Sequence, residues 1–119
     1  MCKNDIDKIQ ILLYNPNMEV VFADDDLYYL EMDSNFTGNL EQAIIKAFRK
    51  RMQLIRAAPD ERDFYKLRSL RFEKLGGKRK HQHSIRLNDQ YRLIVELMKG
   101  NLGEQSSKVI KIVGIEDYH

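Results

Sequence analysis

Residues 84–97 alternate. Ser84, Arg86 and Asn88 are polar while Ile85 and Leu87 are apolar, and after Asn88-Asp89-Gln90 the run YRLIVEL returns. A period of two places Ile85 and Leu87 on one face of a strand and Arg86 on the other, and sets Arg92 opposite to Leu93. The Asn-Asp-Gln step is a tight turn, so the two runs predict a hairpin. A second turn region, 100–107, leads into KVIKIVGIEDYH, a strand with a short tail. Residues 19–22, after the Asn15-Pro16-Asn17 turn signal, predict another short strand. A different period governs 39–58. Leu40, Ala43, Ile44, Ala47, Phe48, Met52 and Ile55 recur at three- and four-residue steps, the stripe of an amphipathic helix. Lys46, Arg49, Lys50 and Arg56 fall mostly outside it. Asn39 is the expected N-cap and Pro59 the stop. Asp24-Asp25-Asp26 opens a shorter helix with Leu27 and Leu30 at helical spacing. Residues 60–70 read as a loop with one turn of helix, then extended chain into Leu70. Helices first and sheet last make an α+β domain, the helices covering one face of an antiparallel meander. The other face is left over, and it carries arginines.

Composition narrows the class. A chain of 119 residues with 43% hydrophobic content fits one domain with one modest core. No apolar run approaches the length of a membrane span. The start, MCKNDIDKIQILLYNP, lacks the basic region and cleavage site of a signal peptide, and the single cysteine, Cys2, has no internal disulfide partner. A cytoplasmic protein is expected.

The net charge of +2 conceals a segregation. Residues 1–35 hold Lys3 and Lys8 against Asp5, Asp7, Glu19, Asp24, Asp25, Asp26, Glu31 and Asp33. Residues 64–99 hold Lys66, Arg68, Arg71, Lys74, Lys78, Arg79, Lys80, Arg86, Arg92 and Lys99 against Glu73, Asp89 and Glu96. A cationic block of this kind suits a polyanionic partner; the plainer reading is that the two halves neutralise each other in the fold. Phe64, Tyr65, Phe72 and Tyr91 interleave with the cations. Aromatics among cations suit single-stranded RNA, although at least two of these four are expected in the core.

The run LRFEKLGGKRKHQHSIRLNDQYRLIVE, followed by a chain ending in EDYH, resembles the HigB branch of the RelE/ParE superfamily of bacterial toxin–antitoxin toxins, the plasmid maintenance killer proteins. The most specific pieces are SIRLNDQYR at 84–92 and DYH at 117–119, with Leu75, Gly77 and Arg79 ahead of them. Residues 18–119 would form the toxin domain, and 1–17 an N-terminal extension outside the family pattern. The resemblance implies two N-terminal helices packed on a curved antiparallel sheet of about four strands. It also implies a ribosome-dependent endonuclease that cuts mRNA and inhibits translation, and a HigA-type helix-turn-helix antitoxin that neutralises it. Where the family often has Lys-Gly-Asp-Arg, this chain has Gly76-Gly77-Lys78-Arg79, so a lysine replaces an acid.

RNA cleavage without a metal needs a base for the 2′-hydroxyl, fixed positive charge on the phosphorane and an acid for the departing 5′-oxygen. His81 and His83 lack further ligands at metal spacing, so no metal or cofactor is expected. His119 is the expected acid or base: an imidazole titrates near neutral pH, and the adjacent chain-terminal carboxylate and Asp117 favour its charged form. Asp117 would orient the ring, and Tyr118 would stack on a base or donate to phosphate. Arg79 and Arg92 are the expected phosphate ligands at the reaction centre, because a guanidinium fork matches phosphate oxygens. Arg86, Lys74, Lys78, Lys80 and His83 are expected to contact RNA. Two other readings stand beside the nuclease: a ParE-like toxin that poisons gyrase, and a catalytically inactive RNA-binding member of the fold.

Overall fold

The computed structural model describes residues 17–99 and 107–117; most of the expected extension, together with Tyr118 and His119, lies outside them. Strand β1 (Glu19–Phe22) is followed by helix α1 (Asp25–Met32) and helix α2 (Gln42–Ala57). Next come the short helix α3 (Arg62–Lys66), a 3-10 turn (Arg68–Leu70) and the two-residue strand β2 (Glu73–Lys74). A second 3-10 turn (Gly77–Arg79) leads to β3 (Gln82–Arg86), β4 (Tyr91–Lys99) and β5 (Ser107–Asp117).

Local chemistry explains the helices. The Asp24 side chain accepts from the Leu27 amide at 3.1 Å, capping α1, and Asp25 and Asp26 in its first turn favour the positive end of the helix dipole. Helix α2 starts later than expected. Gly38 and Asn39 both take left-handed backbone, φ 57° and 64°, so Asn39 makes a turn and Glu41 becomes the N-cap. The buried stripe is Ile44, Ile45, Phe48, Met52 and Ile55; Ile45 takes the place expected for Ala43, which is exposed. Ala58 ends the helix in extended backbone, as the residue before proline prefers. The stretch into Leu70 is a 3-10 turn rather than extended chain. Left-handed Arg71, φ 45°, redirects the chain, and both Leu70 and Phe72 are buried.

The sheet has five strands in the order β1-β5-β4-β3-β2. The expected hairpins are present: β3 with β4 and β4 with β5 are antiparallel. The turn between β3 and β4 is locked by Asn88, whose side-chain oxygen accepts from the Gln90 and Tyr91 amides, both at 2.8 Å. The sheet is mixed rather than wholly antiparallel, because β1 runs parallel to β5. The long connection through the helices allows that pairing, which no hairpin could make. Short β2 adds the fifth strand, at the edge of β3. Register shifts interrupt the β4–β5 ladder between Ile94 and Val95 and again between Met98 and Lys99, and such bulges bend and twist a sheet.

One sheet face supplies Ile85, Leu87, Leu93, Val95, Ile110 and Ile112 to the core, where they join Phe48, Met52, Ile55 and Phe64 from the helices. Burying side chains of this size is worth about 1.5–3 kcal/mol each. Phe64 and Phe72 are core, as expected for two of the four interleaved aromatics, Tyr91 packs partly against it, and Tyr65 is exposed. Among the described residues no helix is long and apolar enough to cross a membrane.

Candidate functional site

The face turned away from the helices is built in cross-strand rows. Arg86 on β3 stands opposite Arg92 on β4, and Arg92 stands opposite Glu116 on β5. The next row is Ser84, Ile94 and Gly114, and the next is Gln82, Glu96 and Lys111. The middle row is a low floor. A Cβ built on Gly114 would meet nothing within 4 Å, so the row is open at its β5 end, whereas Ser84 is buried. Ile94 is 2% exposed although it faces away from the main core.

Arg79 joins this face from the loop before β3. Gly77 takes left-handed backbone, φ 61°, which a glycine adopts without strain, and the resulting 3-10 turn carries Arg79 over the last strand. Its Nη1 donates to Glu116 Oε1 at 2.9 Å and its Nη2 to Glu116 Oε2 at 2.6 Å. Its Nε donates to Gln82 Oε1 at 2.9 Å. Gln82 in turn donates to Glu96 at 3.0 Å. The hydrogen bonds and charge of Glu116 raise the pKa of Arg79.

The other two arginines are held by the hairpin turn. Arg92 Nη1 donates to the Asn88 carbonyl at 2.8 Å, and Arg86 pairs with Asp89. Arg51 of α2 approaches the same corner, its Nε donating to the Arg86 carbonyl at 2.8 Å. Burial, and secondly the Arg86 charge, depress the Arg51 pKa. Three guanidinium groups therefore meet around one hairpin. Asp117 lies in register with Tyr91 at this end of the sheet and accepts from Gln90 Nε2 at 3.1 Å.

The structure thus brings Arg79, Arg86 and Arg92 together on the outer face at one end of the sheet; Asp117 lies at the same end but in the row of Tyr91, which packs against the core, so alternation sets it on the other face. Lys78 and Lys80 flank Arg79 in the exposed loop. Lys74 and His83 go elsewhere: they are register partners at the β2–β3 edge, and His83 faces the helix side. Its ring stacks on Phe72 at 4.6 Å with planes 8° apart, and Tyr65 Oη is 3.5 Å from its Nε2. Burial, and then the Lys74 charge, lower its pKa, opposed by Glu61. His81 lies 3.8 Å from Glu96, so His81 and His83 do not converge. Tyr118 and His119 lie outside the described residues.

Sequence reasoning missed Arg51, Gln82, Glu96, Lys111 and Glu116. Simple alternation places Lys111 and Glu116, five residues apart, on opposite faces. The bulge at Val113 shifts the register by one and puts both on the outer face.

A family model described as the RelE-like toxin of type II toxin–antitoxin system HigB matches residues 20–105. Among solved structures, the YoeB/ParE toxin from Agrobacterium tumefaciens is similar with a TM-score of 0.51 and 11% identity, covering 86% of this chain and 100% of its own. The YoeB-YefM complex from Staphylococcus aureus gives a TM-score of 0.51 and 17% identity, covering 87% of this chain and 98% of the matched one. At such identities the likeness speaks for the fold. No curated protein sequence matches the chain. With the family model spanning most of the sequence and the α+β fold shared with YoeB-type toxins, this chain belongs to the HigB-like toxins, the RelE-like toxins of type II toxin–antitoxin systems.

Proposed function

We propose that this toxin is a ribosome-dependent mRNA endonuclease that stops translation, acts in the cytoplasm without a metal and is neutralised by a HigA-type helix-turn-helix antitoxin. The observation that carries the reading is the row of Arg86 and Arg92, with Arg79 beside it, on the outer sheet face next to the open position at Gly114. Guanidinium groups gathered on one face match a phosphodiester whose charge grows in the transition state.

The 2′-oxygen loses its proton and attacks phosphorus, the bond to the 5′-oxygen breaks, and that oxygen takes up a proton. Arg79 and Arg92 hold the charged phosphorane. Arg86, Lys78 and Lys80 grip neighbouring phosphates without reading sequence. His119 transfers the proton, Tyr118 supports the base or phosphate, and Asp117 orients the imidazole. Lys74 and His83, on the far side of the β2–β3 edge, contact RNA only where the strand wraps over that edge. Residues 18–119 form the toxin domain and 1–17 an appendage to it.

Induced expression tests this. Wild type arrests growth with accumulation of cut transcripts, co-expression of a helix-turn-helix antitoxin relieves the arrest, and His119→Ala abolishes it. Arrest with intact transcripts and altered DNA supercoiling would replace the nuclease with a gyrase poison. Growth unaffected by wild type would leave an inactive binding module.

A further inference from the structure

We propose that Glu116 is a built-in stand-in for phosphate: its carboxylate holds the Arg79 fork in place on the arginine row, and RNA enters by exchanging with it. The proposal rests on the RNA-cleavage reading and adds a positioning residue to it.

The geometry is that of a ligand already bound. Both terminal nitrogens of Arg79 donate to the two Glu116 oxygens at 2.9 and 2.6 Å, the same parallel two-bond pattern a guanidinium makes with phosphate. Glu116 is also the register partner of Arg92, which faces Arg86. The carboxylate therefore occupies the end of the cationic row, in the place that an anion held by the Arg79 fork would take. Gln82 holds Arg79 from the side through Nε and is itself fixed by Glu96. That support keeps the fork oriented after the carboxylate leaves.

Magnitudes favour exchange over a permanent lock. The side chains of Arg79 and Glu116 are 44% and 47% exposed, and ion pairs so exposed contribute about 0–1 kcal/mol. A phosphate oxygen pair can displace such a partner, and the freed carboxylate has water to swing into. While in place, Glu116 cancels one charge on the face and so weakens indiscriminate binding to polyanions, whose affinity grows with each phosphate neutralised.

The test is binding of a short single-stranded RNA by fluorescence anisotropy across a salt series, with full-length wild type, Glu116→Gln, Arg79→Ala and the double variant. Glu116→Gln should bind about 5-fold tighter, the factor that removing a competitor of about 1 kcal/mol gives. Its salt slope should steepen by about 0.7, one added phosphate on a single strand. In the Arg79→Ala background the same change should do nothing. Equal or weaker binding by Glu116→Gln would overturn the proposal, as would a gain that persists without Arg79, since that is a general charge effect. Titration of inorganic phosphate against the Arg79 Nε–H resonance reads the exchange without RNA. Saturation at lower phosphate in Glu116→Gln supports it and identical curves overturn it. If none of the four proteins binds free RNA, the claim that RNA exchanges with Glu116 falls, whereas the ribosome-dependent nuclease reading falls only if programmed ribosomes show no cleavage.

Discussion

Arg86 and Arg92 face each other directly across adjacent strands of one sheet. Like charges in that position destabilise a sheet by up to about 1 kcal/mol. The fold accommodates them by tying each to the hairpin turn, Arg92 to the Asn88 carbonyl and Arg86 to Asp89. A cost of this kind at a paired position is what a binding surface incurs.

Relieving the repulsion should therefore separate stability from function. Arg86→Thr removes one charge, places a good strand former on the outer face and sacrifices only a pair whose acid is 96% exposed. Thermal unfolding should show a gain of about 0.5 kcal/mol, with weaker RNA binding measured on the same preparation.

The floor row offers a steric probe. Gly114 has open space where a side chain would project and sits mid-strand opposite Ile94. Gly114→Val should leave unfolding unchanged or raise its midpoint slightly, because valine suits a strand and glycine does not. Transcript cleavage, followed by 5′-end mapping, should fall at least about 10-fold if RNA lies across the sheet, a loss of about 1.4 kcal/mol in transition-state binding.

Arg79 should tolerate neither truncation nor exchange for lysine. Its fork engages Gln82 and Glu116 at once, and an ammonium cannot reproduce three fixed donors. Arg79→Lys should lose most cleavage while unfolding moves by less than about 1 kcal/mol, since the pair it breaks is exposed. Single-turnover kinetics and chemical denaturation check the two halves.

His83 gives a pH signature. Its folded pKa lies below the ordinary value of 6.5 because its ring is partly buried near Lys74. The unfolded chain thus takes up a proton before the folded one does. Stability contributed by neutral His83 is complete above about pH 6.5 and declines as pH falls from there toward the lower folded pKa. Denaturation between pH 7.5 and 5 should show this decline, and His83→Gln should flatten it. Glu61, whose charge opposes the shift, should deepen the decline when changed to Gln.

Much of this was legible from residue order. Alternation in 84–97 fixed the faces of Ile85, Arg86, Leu87, Arg92 and Leu93, and Asn88 announced its turn. The motifs at 75–92 and 117–119 led to the family. Pairing direction was not legible, since β1 carries no local mark of running parallel to β5. The bulge at Val113 was equally silent, and with it the placement of Glu116 and Lys111 on the outer face. Arg51 lies off the apolar stripe of its helix, so only the tertiary crossing brings it to Arg86. His83 read as an RNA contact; its apolar surroundings come from Phe72, which directly precedes β2.

The most direct test of the central claim, that the arginine row and the terminal imidazole cleave RNA by 2′-oxygen attack, is the chemistry of the product ends. Purified toxin incubated with programmed ribosomes should leave 2′,3′-cyclic phosphate and 5′-hydroxyl termini, and His119→Ala should slow their appearance at least about 100-fold. Products with 5′-phosphate ends, or undiminished cutting by His119→Ala, would contradict it.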